Sequence, residues 1–327
     1  METHLMDARR LPLPDVYSSL DRLIQLVDLC DVEASLTGVP DVYAQRLYRD
    51  FDSFVHVFDE VLRTMPAGEA DALGAHVRAR FLPLLQRSAN GHRWYSKPRG
   101  YAGDYLTIAR MYDDVAEGSD LVGTLLDRCF LAVPAARAVQ NRRGVLTDEI
   151  RADSMRLGGP LWVTSLACGP ARELFDLAGA LAHPIHATLV DIDADALAYC
   201  AAHRCRLEVS FAQANLVHVA LGRSELALAA QDLVYSIGLI DYLGDALVVK
   251  LLDFIHGTLR PGGRVIVGNF HTRNATKAFM DHVLDWKLIH RTEGDMRRLF
   301  GASRFGTCSR ISYEPLRINM FCEGIRA

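Results

Sequence analysis

The sequence predicts an α/β protein in which an all-helical N-terminal domain over residues 1–156 precedes a doubly wound parallel sheet over residues 157–327. From residue 161 onward, apolar β-branched runs alternate with helical patterns. This order is typical of a parallel sheet with right-handed crossovers. Residues 15–87 instead repeat apolar side chains at helical spacing and contain no alternating strand pattern.

The helical half is punctuated by caps and breaks. A cap at Asp15 opens the first helix, and a break is expected at residues 88–91. Gly158, Gly159 and Pro160 separate the last helix from the first strand. The predicted helices are a first one from Asp15, then residues 42–65, 69–85, 106–114 and 121–156.

The second half contains seven candidate strands. The last two are expected to close the sheet as an antiparallel hairpin. The predicted strands are residues 162–166, 187–190, 208–213, 232–237, 264–269, 307–314 and 319–325.

Composition limits the function classes. Half of the 327 residues are hydrophobic and the formal net charge is -4, so nothing favours nucleic acid as a partner. Seven scattered cysteines without zinc spacing indicate reduced thiols and no metal site. No signal peptide and no apolar run of membrane-spanning length is visible. We therefore expect a soluble, cytoplasmic protein without a membrane partner, and a homodimer is left open.

The strand, turn and helix pattern of residues 163–173 is the most informative feature of the chain. Gly169 lets the backbone approach a ligand, and the helix that follows presents unpaired N–H groups. Only one glycine is firmly placed, which favours S-adenosylmethionine over a dinucleotide. Asp191 and Asp193 end the second strand, where such folds bind ribose hydroxyls, although either could cap the next helix.

Five motifs in order resemble those of class I S-adenosylmethionine-dependent methyltransferases. They are the glycine motif at 166–173, the ribose acid at 190–193, the adenine motif at 212–216 with Asn215 where Asp is usual, the strand-four motif at 232–238 and the turn at 259–264. The resemblance implies a Rossmann-like methyltransferase sheet and S-adenosylmethionine as the cofactor.

Two further segments, residues 95–104 and 285–291, resemble a bacterial subgroup with a helical N-terminal extension. Some members of that subgroup are 3-hydroxy-fatty-acid methyl ester biosynthesis proteins. Enzymes that cyclise S-adenosylmethionine to azetidine-2-carboxylate are of the same general kind.

The cofactor-binding candidates follow from the motifs. Arg142, just ahead of the first strand, is a candidate for the methionine carboxylate, with a solvated surface position as the alternative. Asn215 could contact adenine or cap a helix. Cys168 is interpreted as a small buried residue and not as a nucleophile. The full set is Arg142, Ala167, Gly169, Asp191, Asp193, Asn215, Leu216 and Ser236.

The catalytic candidates lie in two places. Residues 94–105 combine glycines and a proline with aromatic and cationic side chains, so they form either an interdomain loop or a lid over the sulfonium. Residues after strands four and five could meet an acceptor at the carboxyl edge. The candidates are Tyr95 and Tyr101 in the lid, with Asp241, Tyr242 and His271 at the edge.

Three functions remain open from the sequence. The first is methyl transfer to a small acid or similar nucleophile, in bacterial secondary metabolism or signalling. The second is cyclisation of S-adenosylmethionine to azetidine-2-carboxylate with release of methylthioadenosine. The third is a non-catalytic cofactor-binding scaffold, because no unmistakable general base is visible. RNA methylation is disfavoured by dispersed basic residues and by the lack of a base-flipping motif.

Overall fold

The structure is a computed structural model that describes residues 13–36, 38–177, 183–203, 207–228 and 230–327. These residues form two compact units. The helical unit contains the described residues up to Ala102, with Asp114–Ala136 and Ala275–Trp286. The sheet unit contains Gly103–Asp113, Arg137–Asn274 and Lys287–Ala327.

The helical unit is organised around a cluster of phenylalanine rings. Phe51 contacts Phe81, Phe130 and Phe279 edge to face, with ring centroids 5.3–5.8 Å apart. Such pairs add stabilisation beyond the apolar area that they bury. The helices of this unit are α1 (Leu13–Leu36), α2 (Asp41–Arg63), α3 (Ala67–Arg87), α4 (Ala89–Ser96) and α6 (Leu121–Ala132), with a π-helical turn at Phe279–Val283.

The sheet unit is a seven-stranded sheet of order β3-β2-β1-β4-β5-β7-β6. Six strands run in the same direction, and β7 runs antiparallel to them between β5 and β6. The strand order reverses between β1 and β4, which is where open α/β sheets form their ligand crevice. The strands are β1 (Leu161–Leu166), β2 (Ile185–Asp191), β3 (Glu208–Gln213), β4 (Gln231–Ile237), β5 (Leu259–Phe270), β6 (Arg310–Tyr313) and β7 (Asn319–Ile325).

Apolar helices cover the sheet. One face carries a buried cluster that includes Val234, Val267 and Met320, and the other carries Val163, Tyr235 and Phe321. The helices of this unit are α5 (Tyr105–Asp113), most of α7 (Pro134–Leu157), α8 (Arg172–Phe175), α9 (Ala194–His203), α10 (Leu216–Ala220), α11 (Asp245–Thr258) and α12 (Glu293–Ala302).

The predicted fold class is confirmed, including the antiparallel closing hairpin. Two predictions about the helices are wrong. Residues 121–156 form two helices because Pro134 lacks the N–H that a continuous helix needs, and it opens α7 instead. The predicted break at 88–91 is confined to Ser88, which caps α4 by accepting from Gly91 N.

The segment from residue 94 also begins differently from the prediction. Trp94 to Ser96 are the last turn of α4, and the irregular backbone starts at Lys97, which is left-handed with φ 47°. The predicted domain boundary after residue 156 stays a prediction, and the compact units divide the chain at other places. No helix in the described ranges has the length and apolarity needed to cross a membrane.

Candidate functional site

The turn after β1 has an unusual backbone. Ala167, Gly169 and Ala171 all have positive φ, at 55°, 53° and 47°. Alanine rarely adopts this conformation, which costs about 1–2 kcal/mol per residue. A Cβ built on Gly169 would meet no atom within 4 Å, so the turn faces open space. The predicted ligand-binding turn therefore has room for a ligand against its backbone.

Asp191 holds this turn in place. One carboxylate oxygen accepts from Gly169 N at 2.9 Å and the other accepts from Asp193 N at 3.0 Å. Burial raises the pKa of Asp191, and these backbone donors oppose the rise. Asp193 accepts from Asp195 N at 2.9 Å at the start of α9. The alternative interpretation of Asp193 as a cap is therefore found in the structure, and the ribose contacts of both residues stay predictions.

Asn215 caps α10 in the way that its alternative interpretation predicted. Its Oδ1 accepts from Val217 N at 3.0 Å and from His218 N at 3.2 Å. These two donors fix the amide orientation and turn Nδ2 away from the helix. Leu216 follows it and is buried in the core with Leu166. If Asn215 contacts adenine, it must do so as a donor.

The side chains of Ser236 and Cys168 are buried and form hydrogen bonds within the sheet unit. Ser236 is fully buried and its hydroxyl donates to Leu166 O at 2.8 Å, which ties the ends of β4 and β1 together. Because the hydroxyl of Ser236 is buried and already bonded, only its backbone could contact the cofactor. That contact stays a prediction. Hydrogen bonding to Cys200 and burial raise the pKa of the Cys168 thiol, as expected for a buried residue that is not a nucleophile.

Arg142 is a buried cation at the same end of the sheet. It is 6% exposed, and its Nε donates to the Tyr112 hydroxyl at 3.3 Å. A Cβ on Gly238, the residue after β4, would come within 3.2 Å of its Nη1. Within the described ranges, no carboxylate forms an ion pair with Arg142. A buried charge without a paired carboxylate is costly, and it is suited to a ligand that brings one.

Two buried carboxylates lie close enough to Arg142 to act on its charge. Burial disfavours the charged guanidinium, but Tyr112, Asp241 and Glu173 raise the pKa of Arg142 above its usual value. Glu173 accepts from the Tyr235 hydroxyl at 2.7 Å, and burial raises its pKa. Neither Glu173 nor Tyr112 has a predicted role, although Glu173 is the last residue of the glycine motif at 166–173, because the contacts of both depend on tertiary packing.

Asp241 is fixed behind this cluster. Its Oδ1 accepts from Phe270 N at 2.7 Å, and burial raises its pKa to about 6. Its neighbour Tyr242 is 43% exposed. Asp241 therefore stays a candidate for the general base, with a pKa that burial raises towards neutral pH. Tyr242 stays a candidate for acceptor contact.

Arg291 fixes the loop that carries Asp241. It is 2% exposed, and its guanidinium donates to Ile240 O at 2.8 Å and Leu243 O at 2.6 Å. It also donates to Asn269 Oδ1 at 2.8 Å and to Asp245 Oδ1 at 3.0 Å. One buried side chain thus joins both ends of the loop to the end of β5.

The prediction of His271 as a general base is not supported by its hydrogen bonds. Its Nδ1 accepts from Arg273 N at 3.0 Å, so Nε2 is the nitrogen that donates to Glu293 at 2.9 Å. The lone pair that a base needs is already engaged by the backbone. His271 instead fixes the segment that follows β5.

The predicted lid residues Tyr95 and Tyr101 belong to the helical unit. Tyr95 lies half-buried in α4 and Tyr101 is 40% exposed. Within this unit, Lys97 pairs with Asp285 at 3.2 Å, and the rings of Trp94 and Trp286 meet edge to face at 6.4 Å. The two segments that resemble the same bacterial subgroup are therefore in contact, and the lid role stays a prediction.

Comparison with known proteins agrees with this geometry. Residues 163–263 match a family model described as a methyltransferase domain. A crystal structure of a possible exported protein from Bordetella parapertussis superposes with a TM-score of 0.55 at 16% identity, over 97% of this chain and 99% of that one. Curated proteins give no match.

Two methyltransferase structures align over part of the chain. Magnesium protoporphyrin IX methyltransferase of Synechocystis PCC 6803, with bound SAM, has a TM-score of 0.43 at 13% identity, over 59% of this chain and 84% of that one. A 1,6-didemethyltoxoflavin-N1-methyltransferase of Burkholderia thailandensis has a TM-score of 0.42 at 20% identity, over 57% of this chain and 78% of that one.

Residues 163–263 match the model of a methyltransferase domain, and this match supports S-adenosylmethionine as the cofactor. The structure offers two independent signs of fit, the open space at Gly169 and the unpaired cation at Arg142. In the described part of the chain, no group of histidine, cysteine or acidic residues could hold a metal ion.

Replacing Arg291 with Met should destabilise the protein by about 3 kcal/mol, because carbonyl and carboxylate acceptors would lose a buried charged donor. Urea unfolding followed by circular dichroism measures the change. Arg298→Met is the matched control, since Arg298 also binds Asp245 but has a 58% exposed side chain. Equal losses in both variants would contradict the role given to Arg291.

Proposed function

We propose that this protein is an S-adenosylmethionine-dependent enzyme that transfers a methyl group to a small-molecule nucleophile, with a small acid as the preferred acceptor. The observation that carries the proposal is Arg142, a buried guanidinium at the switch point of the sheet that pairs with no carboxylate among the residues the structure describes. The methionine carboxylate is the partner that would complete it.

The remaining cofactor contacts are assigned from the turns around Arg142. The glycine turn supplies a close backbone approach, and the acids at the end of β2 lie where ribose is expected. Asn215 donates through Nδ2, which suits adenine N1, an acceptor. This differs from an acid at the same position, which would accept from the adenine amino group.

The cofactor supplies a methyl group already activated on a sulfonium. The chain therefore has to orient the nucleophile and exclude water, and it needs no strong base for a carboxylate acceptor. Asp241 and Glu173 lie close to Arg142, and their carboxylates favour a ligand that carries positive charge as well as a carboxylate. The cytoplasmic location and the absence of nucleic-acid partners remain proposals drawn from the sequence.

Product analysis tests the reaction. The protein is incubated with S-adenosylmethionine alone and with a panel of short-chain and 3-hydroxy carboxylic acids. Methyl transfer predicts S-adenosylhomocysteine only when an acceptor is present. Methylthioadenosine formed without an acceptor would contradict methyl transfer and indicate cyclisation. Cofactor binding without either product would favour a non-catalytic scaffold.

Replacing Arg142 with Met should weaken S-adenosylhomocysteine binding by about tenfold to a hundredfold, the value of a charged hydrogen bond to carboxylate. Calorimetric titration measures the affinity, and thermal unfolding shows whether the variant is folded. Arg143→Met is the control one residue along α7, because Arg143 already binds Asp176 at 2.5 Å. Unchanged affinity in Arg142→Met would remove the observation on which the proposal rests.

The affinity for S-adenosylmethionine should fall relative to that for S-adenosylhomocysteine as the pH drops through about 6. The pKa of Asp241 is raised to about 6 by burial, so its carboxylate is charged above this pH and neutral below it. Only the methylated ligand carries the sulfonium charge. The affinity ratio measured from pH 5 to pH 8 checks this, and it should become flat in Asp241→Asn. A flat ratio in the unmodified protein would exclude Asp241 as the source.

A further inference from the structure

The turn between β6 and β7 lies at the same edge of the sheet as the proposed active site. β7 runs antiparallel to β5 and pairs Asn319 with Phe270, the last residue of β5. His271 N donates to Ile318 O at 2.7 Å. Since Phe270 N also binds the carboxylate of Asp241, the turn is connected to the catalytic candidate through one short stretch of backbone.

A buried carboxylate shapes this turn. Glu314 is 1% exposed and accepts from the backbone N–H groups of Leu316, Ile318 and Asn319 at 2.7–3.1 Å. Arg317 lies at the apex with φ 60°, and its N–H donates to Glu314 O at 2.9 Å. The backbone of Arg317 is therefore held rigidly, while its side chain is exposed.

The side chain of Arg317 is also held. Its guanidinium carbon lies 4.5 Å from the centre of the Tyr313 ring, and that of Arg273 lies 5.8 Å from the same ring. The Tyr313 hydroxyl donates to Glu293, which also accepts from His271 and from Arg273 at 2.9 Å. Tyr313 is thus fixed from its hydroxyl end and offers a rigid face.

Two guanidiniums, those of Arg273 and Arg317, lie against the Tyr313 ring. Arg273 is paired with Glu293, whereas no carboxylate of the described residues pairs with Arg317. Stacking on the ring leaves the N–H edge of Arg317 available for a planar or tetrahedral oxyanion.

We propose that Arg317, stacked on Tyr313, binds an oxyanion group of the acceptor, either a carboxylate or a phosphate, at the carboxyl edge of the sheet. The inference rests on the proposed function because it assigns an acceptor to the same edge. It makes Arg317 a specificity-determining residue and selects anionic acceptors over neutral ones of equal size.

Ligand-observed NMR titration tests the assignment with hexanoate, hexyl phosphate and hexanol on the protein saturated with S-adenosylhomocysteine. Arg317→Gln should weaken binding of the preferred anion by about tenfold, which is the value of one bidentate charged contact. Tighter binding of hexanoate would identify a carboxylate acceptor, and tighter binding of hexyl phosphate a phosphorylated one. Equal binding of hexanol, or binding unchanged in Arg317→Gln, would overturn the proposal.

Two controls separate this proposal from the proposed function. Arg304→Gln removes an exposed arginine in the segment before β6, at the opposite edge of the sheet, and should change nothing. Calorimetry with S-adenosylhomocysteine should give the same affinity for Arg317→Gln as for the unmodified protein. One combination of results separates the two proposals. If the unmodified protein does not bind S-adenosylhomocysteine but binds the anion, and Arg317→Gln loses the anion, the proposed function is overturned and the anion subsite stays in place.

Discussion

The carboxylate of Asp191 holds the turn after β1 in a conformation that two of its residues disfavour. Two left-handed alanines cost about 1–2 kcal/mol each, and the hydrogen bond from Gly169 N to the buried carboxylate of Asp191 opposes this cost. The result is a half-buried backbone turn at the switch point of the sheet, with open space beside Gly169. The open space at Gly169, the position of α8 and the placement of Glu173 all follow from this turn.

Three buried ionisable side chains lie at the same end of the sheet as this turn. Arg142, Glu173 and Asp241 are each less than a tenth exposed, and they interact through a medium that screens charge weakly. A fully satisfied core would have paired the arginine directly with a carboxylate. Here the nearest hydrogen-bond partner is the Tyr112 hydroxyl, and both acids have raised pKa values. Such an arrangement stores unfavourable energy in the free protein that a zwitterionic, cationic ligand would relieve.

Local patterns in the sequence predict much of this fold and less of the site. The strands at Glu208–Gln213 and Asn319–Ile325 were predicted to the residue, because alternation and flanking turns are local signals. Arg142 and Asp241 were named as candidates from their distance to strand ends. Glu173 and Tyr112 were missed, since a buried partner is defined by tertiary packing. The role of His271 as a base stays a prediction, and the backbone donor at its Nδ1 is a contact that composition and spacing do not reveal.

The most direct test of whether Arg142 binds the methionine carboxylate removes the carboxylate from the ligand and the guanidinium from the protein. Affinities are measured by calorimetry for S-adenosylhomocysteine and for its analogue without the carboxylate, with the unmodified protein and with Arg142→Met. A direct ion pair predicts that losing the ligand carboxylate costs about tenfold or more in the unmodified protein and less than about twofold in the variant. The same loss in both proteins would show that the carboxylate binds elsewhere.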